Sequence, residues 1–184
     1  ITEGLVGSEM CIRDRIEPIQ GEGGVIPGDK LFFKELREIC NQNNSLLILD
    51  EVQSGVGRTG KMWGYENLEI EPDGFTLAKG LGGGHAIGAL LVQEKANIFN
   101  PGDHASTFGG NPFACRAALT VLEEITRRKI LKNVFERGNQ LNEGFTKISA
   151  KFPKIISGIR GLGLIQGLVT VSYTHLRAHE TFGY

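Results

Sequence analysis

The chain has 184 residues, of which 40% are hydrophobic and 22% charged, and its formal net charge is −1. This length and composition are typical of a globular protein with a sizeable core, and the near-zero charge argues against recruitment of nucleic acid or of an anionic membrane. Three widely spaced cysteines argue against a disulfide framework and a zinc site, and they favour a reducing compartment, the cytoplasm.

The two ends of the chain follow neither a helical nor a strand period. Residues 1–15 and about 170–184 resemble translated sequencing-adapter strings, which contaminate assembled gene fragments. We therefore predict that both segments are not native protein, and we exclude them from the predicted fold. Sequencing of the parent gene across both junctions tests this, because native codons that continue there would contradict it.

The first predicted elements are a helix and a short strand. Asp29 has the position of a helix N-cap, and Asn43 with the following asparagine ends the helix. Four residues share one helical face and are predicted to be its buried side: Phe32, Leu36, Ile39 and Cys40. The run 46–50 is almost wholly apolar, which is typical of a strand buried on both faces of a parallel sheet.

The second half of the chain alternates strands with helices. After a glycine-rich loop, one strand is predicted to end at Lys79 and another to span residues 87–92. Asn111 and the proline after it are typical of an N-cap with proline at the first helical position. An apolar repeat over 130–152 predicts a further helix, and the glycine-rich residues 159–169 predict β-structure. This alternation favours an α/β fold with a mostly parallel sheet.

The glycine-rich run after the first strand matches two phosphate-binding patterns, G-x-G-x-x-G and G-x-x-x-x-G-K. Its residues are Gly55-Val56-Gly57-Arg58-Thr59-Gly60-Lys61. Met62 stands where a nucleotide-binding loop needs Ser or Thr for magnesium, and no convincing helix follows. We therefore interpret this run as a structural loop rather than a nucleotide site.

Asp50 and Lys79 each close a strand-like apolar run. Taken singly, such an aspartate is usually structural and such a lysine is usually solvated. Because ligands bind at the carboxyl ends of parallel strands, however, both residues are expected at one rim of the sheet. Enzymes that use pyridoxal phosphate (PLP) need a lysine amine that holds the cofactor as a Schiff base and a carboxylate that pairs with the pyridine nitrogen. The pair therefore predicts a PLP site.

Four segments resemble, in order and spacing, motifs of the class III PLP-dependent aminotransferases. They are residues 17–24, 49–61, 76–84 and 102–112. The resemblance covers about residues 16–169 and implies the fold-type I transferase fold. It assigns residues 16–118 to part of the PLP-binding large domain and residues 119–169 to a linking helix and the start of the C-terminal small domain.

The resemblance also implies roles around the cofactor. It makes Lys79 the Schiff-base lysine and Asp50 the partner of the pyridinium nitrogen, whose protonated form the negative charge favours. Val52 resembles the residue that packs on the ring, although a buried valine after a strand is also an ordinary core residue. Gln53 resembles the donor to the phenolic oxygen of the ring, the alternative being a solvated loop glutamine. Glu51 lies within the same motif and is assigned to the cofactor site with them.

Three further residues are assigned by the resemblance to the phosphate and the substrate. Thr107 resembles the phosphate contact that the other subunit of a homodimer provides, and Ser106 beside it resembles a substrate contact. The alternative for both is a hydroxyl that serves the loop or the helix cap. Glu22 resembles an acid that pairs with a substrate-binding arginine in ornithine-type relatives, and a solvent-facing glutamate is the alternative.

The implied activity moves the terminal amino group of N-acetylornithine or a similar ω-amine to 2-oxoglutarate, a step of arginine biosynthesis. Lys79, displaced by the donor amine, then moves a proton between the substrate and cofactor carbons. Enzymes acting on ornithine or 4-aminobutyrate are the alternative within the class, and an inert truncated fragment is the alternative outside it. Family residues for the phosphate cup, ring stacking and the substrate carboxylate lie beyond this stretch, so we expect about two fifths of an aminotransferase that is inactive alone.

Overall fold

The computed structural model describes residues 13–171, with side chains from Arg15 onward. Most of the two segments predicted not to be native, residues 1–12 and 172–184, therefore lies outside the described residues. Within the described part, no helix is both long and apolar enough to cross a membrane.

The main sheet contains the strands β1 (Arg13–Ile16), β4 (Leu46–Asp50), β5 (Gly74–Leu77) and β6 (Ala89–Val92), in that spatial order. β4 pairs in parallel with both β1 and β5, whereas β6 is antiparallel to β5. The predicted mostly parallel α/β sheet is thus confirmed. β1 was not predicted, because its charged sequence has no apolar alternation and the pairing with β4 determines its conformation.

The first helix, α1 (Lys30–Gln42), begins and ends where the sequence predicted. Asp29 Oδ1 accepts a hydrogen bond from the backbone N–H of Phe32 at 2.9 Å. The predicted buried face was partly wrong, because Phe33 is 1% exposed while Phe32 is 49% exposed and Ile39 54% exposed. Two adjacent phenylalanines left the rotation of the helix ambiguous, and only packing against the sheet decides it.

Two long helices and a hairpin form the second half of the described chain. They are α2 (Pro112–Arg127), α3 (Ile130–Lys151), β7 (Ile156–Leu162) and β8 (Ile165–Thr170). Asn111 Oδ1 accepts a hydrogen bond from the backbone N–H of Ala114 at 2.9 Å, which confirms the predicted cap. β7 and β8 pair antiparallel, so the predicted β-structure is a hairpin. A second small pair, β2 (Ile19–Gln20) and β3 (Ile26–Pro27), lies before α1.

The core contains two clusters of buried residues. The first joins α1 to β4 and contains Phe33, Cys40, Leu47, Leu49, Leu68 and Ile70. The second joins α2 to the end of β5 and contains Leu77, Leu81 and Ala118. Both clusters include residues of this sheet, and Phe75 of β5 packs against each of them.

Candidate active site

The carboxyl ends of β4 and β5 lie side by side. Asp50, the last residue of β4, is paired in register with Thr76 of β5, and Lys79 lies three residues beyond Thr76. Because the strands are parallel, both segments leave the sheet at the same edge. The predicted placement of Asp50 and Lys79 at one rim is therefore what the structure shows.

Lys79 has a strained backbone. β5 ends at Leu77, two residues before the predicted end, and Lys79 begins a single 3₁₀ turn that runs to Gly82. The φ angle of Lys79 is +42°, in the left-handed region that costs a residue with a side chain about 1–2 kcal/mol. The side chain is exposed at this edge. Strain of this kind concentrates at functional sites, where the surrounding structure maintains it.

An adjoining cavity of about 250 Å³, the Lys79 cavity, is lined by residues from three parts of the chain. The loop after β4 contributes Val52, Gln53, Gly55, Val56 and Arg58, the turn after β5 contributes Lys79 and Gly80, and the β7–β8 turn contributes Leu164 and Ile165. The site therefore joins the sheet edge to the hairpin. Leu164 and Ile165 were not predicted as site residues, although the Gly-Leu-Gly-Leu sequence of their turn was a signal of close backbone approach.

Asp50 lies at a second cavity of about 320 Å³, lined also by Arg15, Ile16, Glu17, Gln20 and Gly23. Its half-buried side chain accepts a hydrogen bond at Oδ1 from the backbone N–H of Val52 at 3.1 Å. This local turn orients the carboxylate at the strand end. Within the described residues, Asp50 and Lys79 thus line two different cavities, with Val52 and Gln53 between them along the chain.

Glu51 turns away from this edge into the protein. Its side chain is 1% exposed, and its carboxylate accepts hydrogen bonds from Ser54 Oγ at 2.7 Å and from the backbone N–H groups of Gly64 at 2.8 Å and Tyr65 at 2.6 Å. Burial, partly offset by these hydrogen bonds, raises the pKa of the Glu51 carboxyl. These contacts differ from the cofactor contact expected from the motif, and they make Glu51 a residue that positions the loop after β4.

Gln53, which lines the Lys79 cavity, is in contact with Glu22. Gln53 Nε2 donates a long hydrogen bond of 3.4 Å to Glu22 Oε1. The Gln53 amide also packs against Gly21, where an added Cβ would lie 2.7 Å from it. The motif containing Glu22 and the motif containing Gln53, distant in sequence, are therefore adjacent in space.

Ser106 and Thr107 lie in the exposed loop between β6 and α2. Ser106 Oγ accepts a hydrogen bond from the backbone N–H of Gly109 at 3.0 Å. Neither residue is among those that line the Lys79 cavity of the same chain. Both residues are exposed.

The glycine-rich run 55–61 forms a compact loop instead of opening a helix. The backbone N–H of Gly57 donates to the carbonyl of Met62 at 3.0 Å, and the N–H of Leu164 donates to the carbonyl of Arg58 at 2.9 Å. A Cβ on Gly57 would lie 3.1 Å from the side chain of Leu131. These contacts support the interpretation as a structural loop, which packs against α3 and the β7–β8 turn.

Comparison with known proteins gives one consistent family. The family model described as Aminotransferase class-III matches residues 15–180. The chain is 92% identical over 160 residues to an acetylornithine aminotransferase of Prochlorococcus marinus subsp. pastoris, covering 86% of this chain and 39% of the relative. It is 66% identical over 154 residues to an acetylornithine aminotransferase of Parasynechococcus marenigrum, covering 84% of this chain and 37% of the relative.

Solved structures give the same result. An acetylornithine aminotransferase from Elizabethkingia anophelis matches with a TM-score of 0.79 and 36% identity, over 86% of this chain and 40% of that one. An ornithine aminotransferase from Toxoplasma gondii matches with a TM-score of 0.80 and 35% identity, over 86% of this chain and 38% of that one. The predicted aminotransferase fold is confirmed, and the chain spans about two fifths of the length of the curated relatives it matches.

Proposed function

We propose that this chain, which belongs to the class III aminotransferases, is part of a PLP-dependent enzyme that transfers the terminal amino group of N-acetylornithine to 2-oxoglutarate. The observation that carries the proposal is the edge formed by β4 and β5, where Asp50 and Lys79 leave neighbouring parallel strands. The identity of 92% to an acetylornithine aminotransferase supports this donor.

The residues at this edge fit PLP. Lys79 presents an exposed amine from a strained backbone, and Asp50 presents a carboxylate that the Val52 N–H orients. Val52 and Gln53, which line the cavity with Lys79, would hold the ring and its phenolic oxygen. When bound, PLP supplies an electron sink for the charge left on the substrate carbon after deprotonation.

The chain's own groups have distinct tasks in this reaction. The Lys79 amine would hold the cofactor through its aldehyde, and Nζ, when freed by a donor amine, would accept the proton from the carbon that carries the donor nitrogen. Asp50 supplies a negative charge to the pyridine nitrogen and so favours its protonated form. Glu51 maintains the loop that carries Val52 and Gln53 through its hydrogen bonds to Ser54, Gly64 and Tyr65.

We also propose that the complete enzyme is a homodimer in the cytoplasm. Ser106 and Thr107 lie in an exposed loop away from the Lys79 cavity of their own chain, which suits a contact with the cofactor and substrate of a second copy. The exposed thiol of Cys115 favours a reducing compartment.

An enzyme acting on free ornithine is the second candidate, because solved ornithine aminotransferases match with TM-scores up to 0.80. Their identity to this chain is only 35%, however, against 92% for the acetylornithine relative. The third candidate is an inert fragment. It applies to this chain by itself, because the chain matches only 39% of the length of the acetylornithine relative.

The proposal is tested by assaying the complete protein that contains this chain for glutamate formation from 2-oxoglutarate and each of three donors. N-acetylornithine is expected to give the highest kcat/KM, ahead of ornithine and 4-aminobutyrate. Lys79→Ala should lower kcat at least about 10²–10⁴-fold, the contribution of a positioned proton-transfer group. Lys61→Ala, an exposed lysine of the neighbouring loop, should have no effect. A higher kcat/KM with ornithine would show that ornithine, rather than N-acetylornithine, is the donor. No activity with any of the three donors would contradict the proposal.

A further inference from the structure

The turn between β7 and β8 contacts the loop after β4 through its backbone. The N–H of Leu164 donates to the carbonyl of Arg58 at 2.9 Å. Gly163 has a φ angle of +55°, and a Cβ on it would lie 2.5 Å from the carbonyl carbon of Thr59. Only glycine fits this position, because a side chain would meet both an unfavourable φ and an adjacent backbone.

The same turn is held from its other side by α3. A Cβ on Gly138 would lie 2.7 Å from the carbonyl oxygen of Gly163, so helix and turn are in backbone contact. Gln166 Nε2 donates to the carbonyls of Gly138 at 2.8 Å and of Gly163 at 2.6 Å. Contacts on two sides therefore fix the position of Leu164 relative to the loop that carries Val52 and Gln53.

Leu164 and Ile165 give the Lys79 cavity an apolar side, and Arg58 adds a cation to its lining. A donor whose reacting nitrogen lies at Lys79 would have these residues within reach of its far end, because all of them line one cavity with Lys79. Both donors carry a carboxylate there; free ornithine also carries a second ammonium, whereas N-acetylornithine carries a neutral amide. An apolar surface penalises an unpaired ammonium far more than an amide, and Arg58 repels the ammonium as well.

We propose that Leu164 is a specificity-determining residue, which favours the acetylated donor over free ornithine by presenting an apolar surface to the far end of the donor. The proposal rests on the aminotransferase function proposed above. The β7–β8 turn would then take part in substrate selection, although it lies far from Lys79 in sequence.

The experiment uses the complete protein and measures kcat/KM for N-acetylornithine and for ornithine, each with 2-oxoglutarate. Leu164→Ala admits water to the cavity, and Leu164→Asn adds a polar group at similar volume. Both are expected to lower the ratio of the two kcat/KM values at least about tenfold, the lower end of what one hydrophobic contact contributes to discrimination. The ratio does not depend on the amount of folded enzyme, so a partly folded variant still reports on specificity.

Leu162 provides the matched control, because it lies on the same hairpin but lines a different cavity, next to Gly60 and Asn139. Leu162→Ala and Leu162→Asn are expected to leave the ratio within twofold of the unmodified protein. The proposal is overturned if the Leu164 variants keep the unmodified ratio, or if the Leu162 variants change it equally. Failure of the aminotransferase function itself looks different, since the unmodified protein would then turn over neither donor.

Discussion

Asp50 and Glu51 are adjacent carboxylates at the end of β4 with different surroundings. Asp50 is half-buried at the sheet edge and accepts one backbone hydrogen bond from Val52. Glu51 is buried and accepts three hydrogen bonds from the loop that follows. One carboxylate is thus available to a ligand, and the other stabilises the loop that shapes the ligand site.

Replacing Glu51 with alanine should destabilise the complete protein. Ser54, Gly64 and Tyr65 would each lose an acceptor, and leaving buried donors unpaired costs about 1–3 kcal/mol per group. Glu66 is the matched control, since it accepts a backbone hydrogen bond from Trp63 at 2.8 Å but is exposed. Urea unfolding should show a large loss of unfolding free energy for Glu51→Ala and a loss below about 1 kcal/mol for Glu66→Ala, in line with an exposed hydrogen bond. Equal losses would contradict the buried role.

The raised pKa of Glu51 also predicts the sign of a pH dependence. A carboxyl whose folded pKa lies above its ordinary value of 4.5 stabilises the folded state most fully below that value. Its contribution decreases as the pH rises from 4.5 through the folded pKa. The unfolding free energy of the unmodified protein should therefore fall more steeply over this pH range than that of Glu51→Ala. Equal dependence of the two unfolding free energies on pH would contradict the raised pKa of Glu51.

At the scale of elements, the sequence predicted what local chemistry decides. The caps at Asp29 and Asn111 and the apolar strand 46–50 were found where predicted, because each depends on neighbouring residues. Tertiary contacts decided the rest. β1 forms through pairing with β4, and β5 stops at Leu77 because the chain turns into the strained conformation at Lys79.

The candidate site was likewise predicted in part. The sequence placed Asp50 and Lys79 at one edge, because each follows a short apolar run that predicts a strand, and parallel strands end at the same edge. It did not place Leu164 beside Lys79, because that proximity depends on α3 and on the contact between the β7–β8 turn and the loop after β4. Likewise, the inward direction of Glu51 is set by Gly64 and Tyr65, which lie more than ten residues further along the chain.

Two glycines of α3 test the contact between this helix and the β7–β8 turn. Gly138→Ala would place a Cβ 2.7 Å from the carbonyl of Gly163 and should cost about 1–3 kcal/mol, as overpacking does. Gly144→Ala meets no atom within 4 Å and should instead stabilise the protein by about 0.5–1 kcal/mol through helix propensity. Thermal or urea unfolding of both variants of the complete protein provides the comparison. The contact would be refuted if Gly138→Ala proved as stabilising as Gly144→Ala.

At the scale of the whole molecule, the described chain exposes surface that a complete protein would be expected to cover. Ile98 is 74% exposed, Phe108 82% and Phe113 71%, and all three lie in or beside the segment that contains Ser106 and Thr107. Exposed apolar residues grouped in this way are typical of an interface. This surface is consistent with a second copy of the chain in the proposed homodimer.

Mixing two inactive variants of the complete protein tests whether Thr107 serves a second copy. Thr107→Glu should abolish activity by repelling the cofactor phosphate, and Lys79→Ala should abolish it by removing the amine. After the subunits are exchanged, mixed dimers contain one site with both native residues, so random pairing should restore about a quarter of the unmodified activity. If Thr107 served its own chain, mixing would restore nothing, and an active Thr107→Glu homodimer would exclude the contact altogether.

The absorbance of the complete protein titrated with PLP tests most directly whether the edge of β4 and β5 is a cofactor site. After unbound PLP is removed, we expect a band from the lysine-bound cofactor, displaced from that of free PLP, that is lost in Lys79→Ala and retained in Lys61→Ala. Asp50→Ala should weaken cofactor binding without removing the amine that forms the band. This displaced band persisting in Lys79→Ala, or its absence from the unmodified protein, would contradict the account.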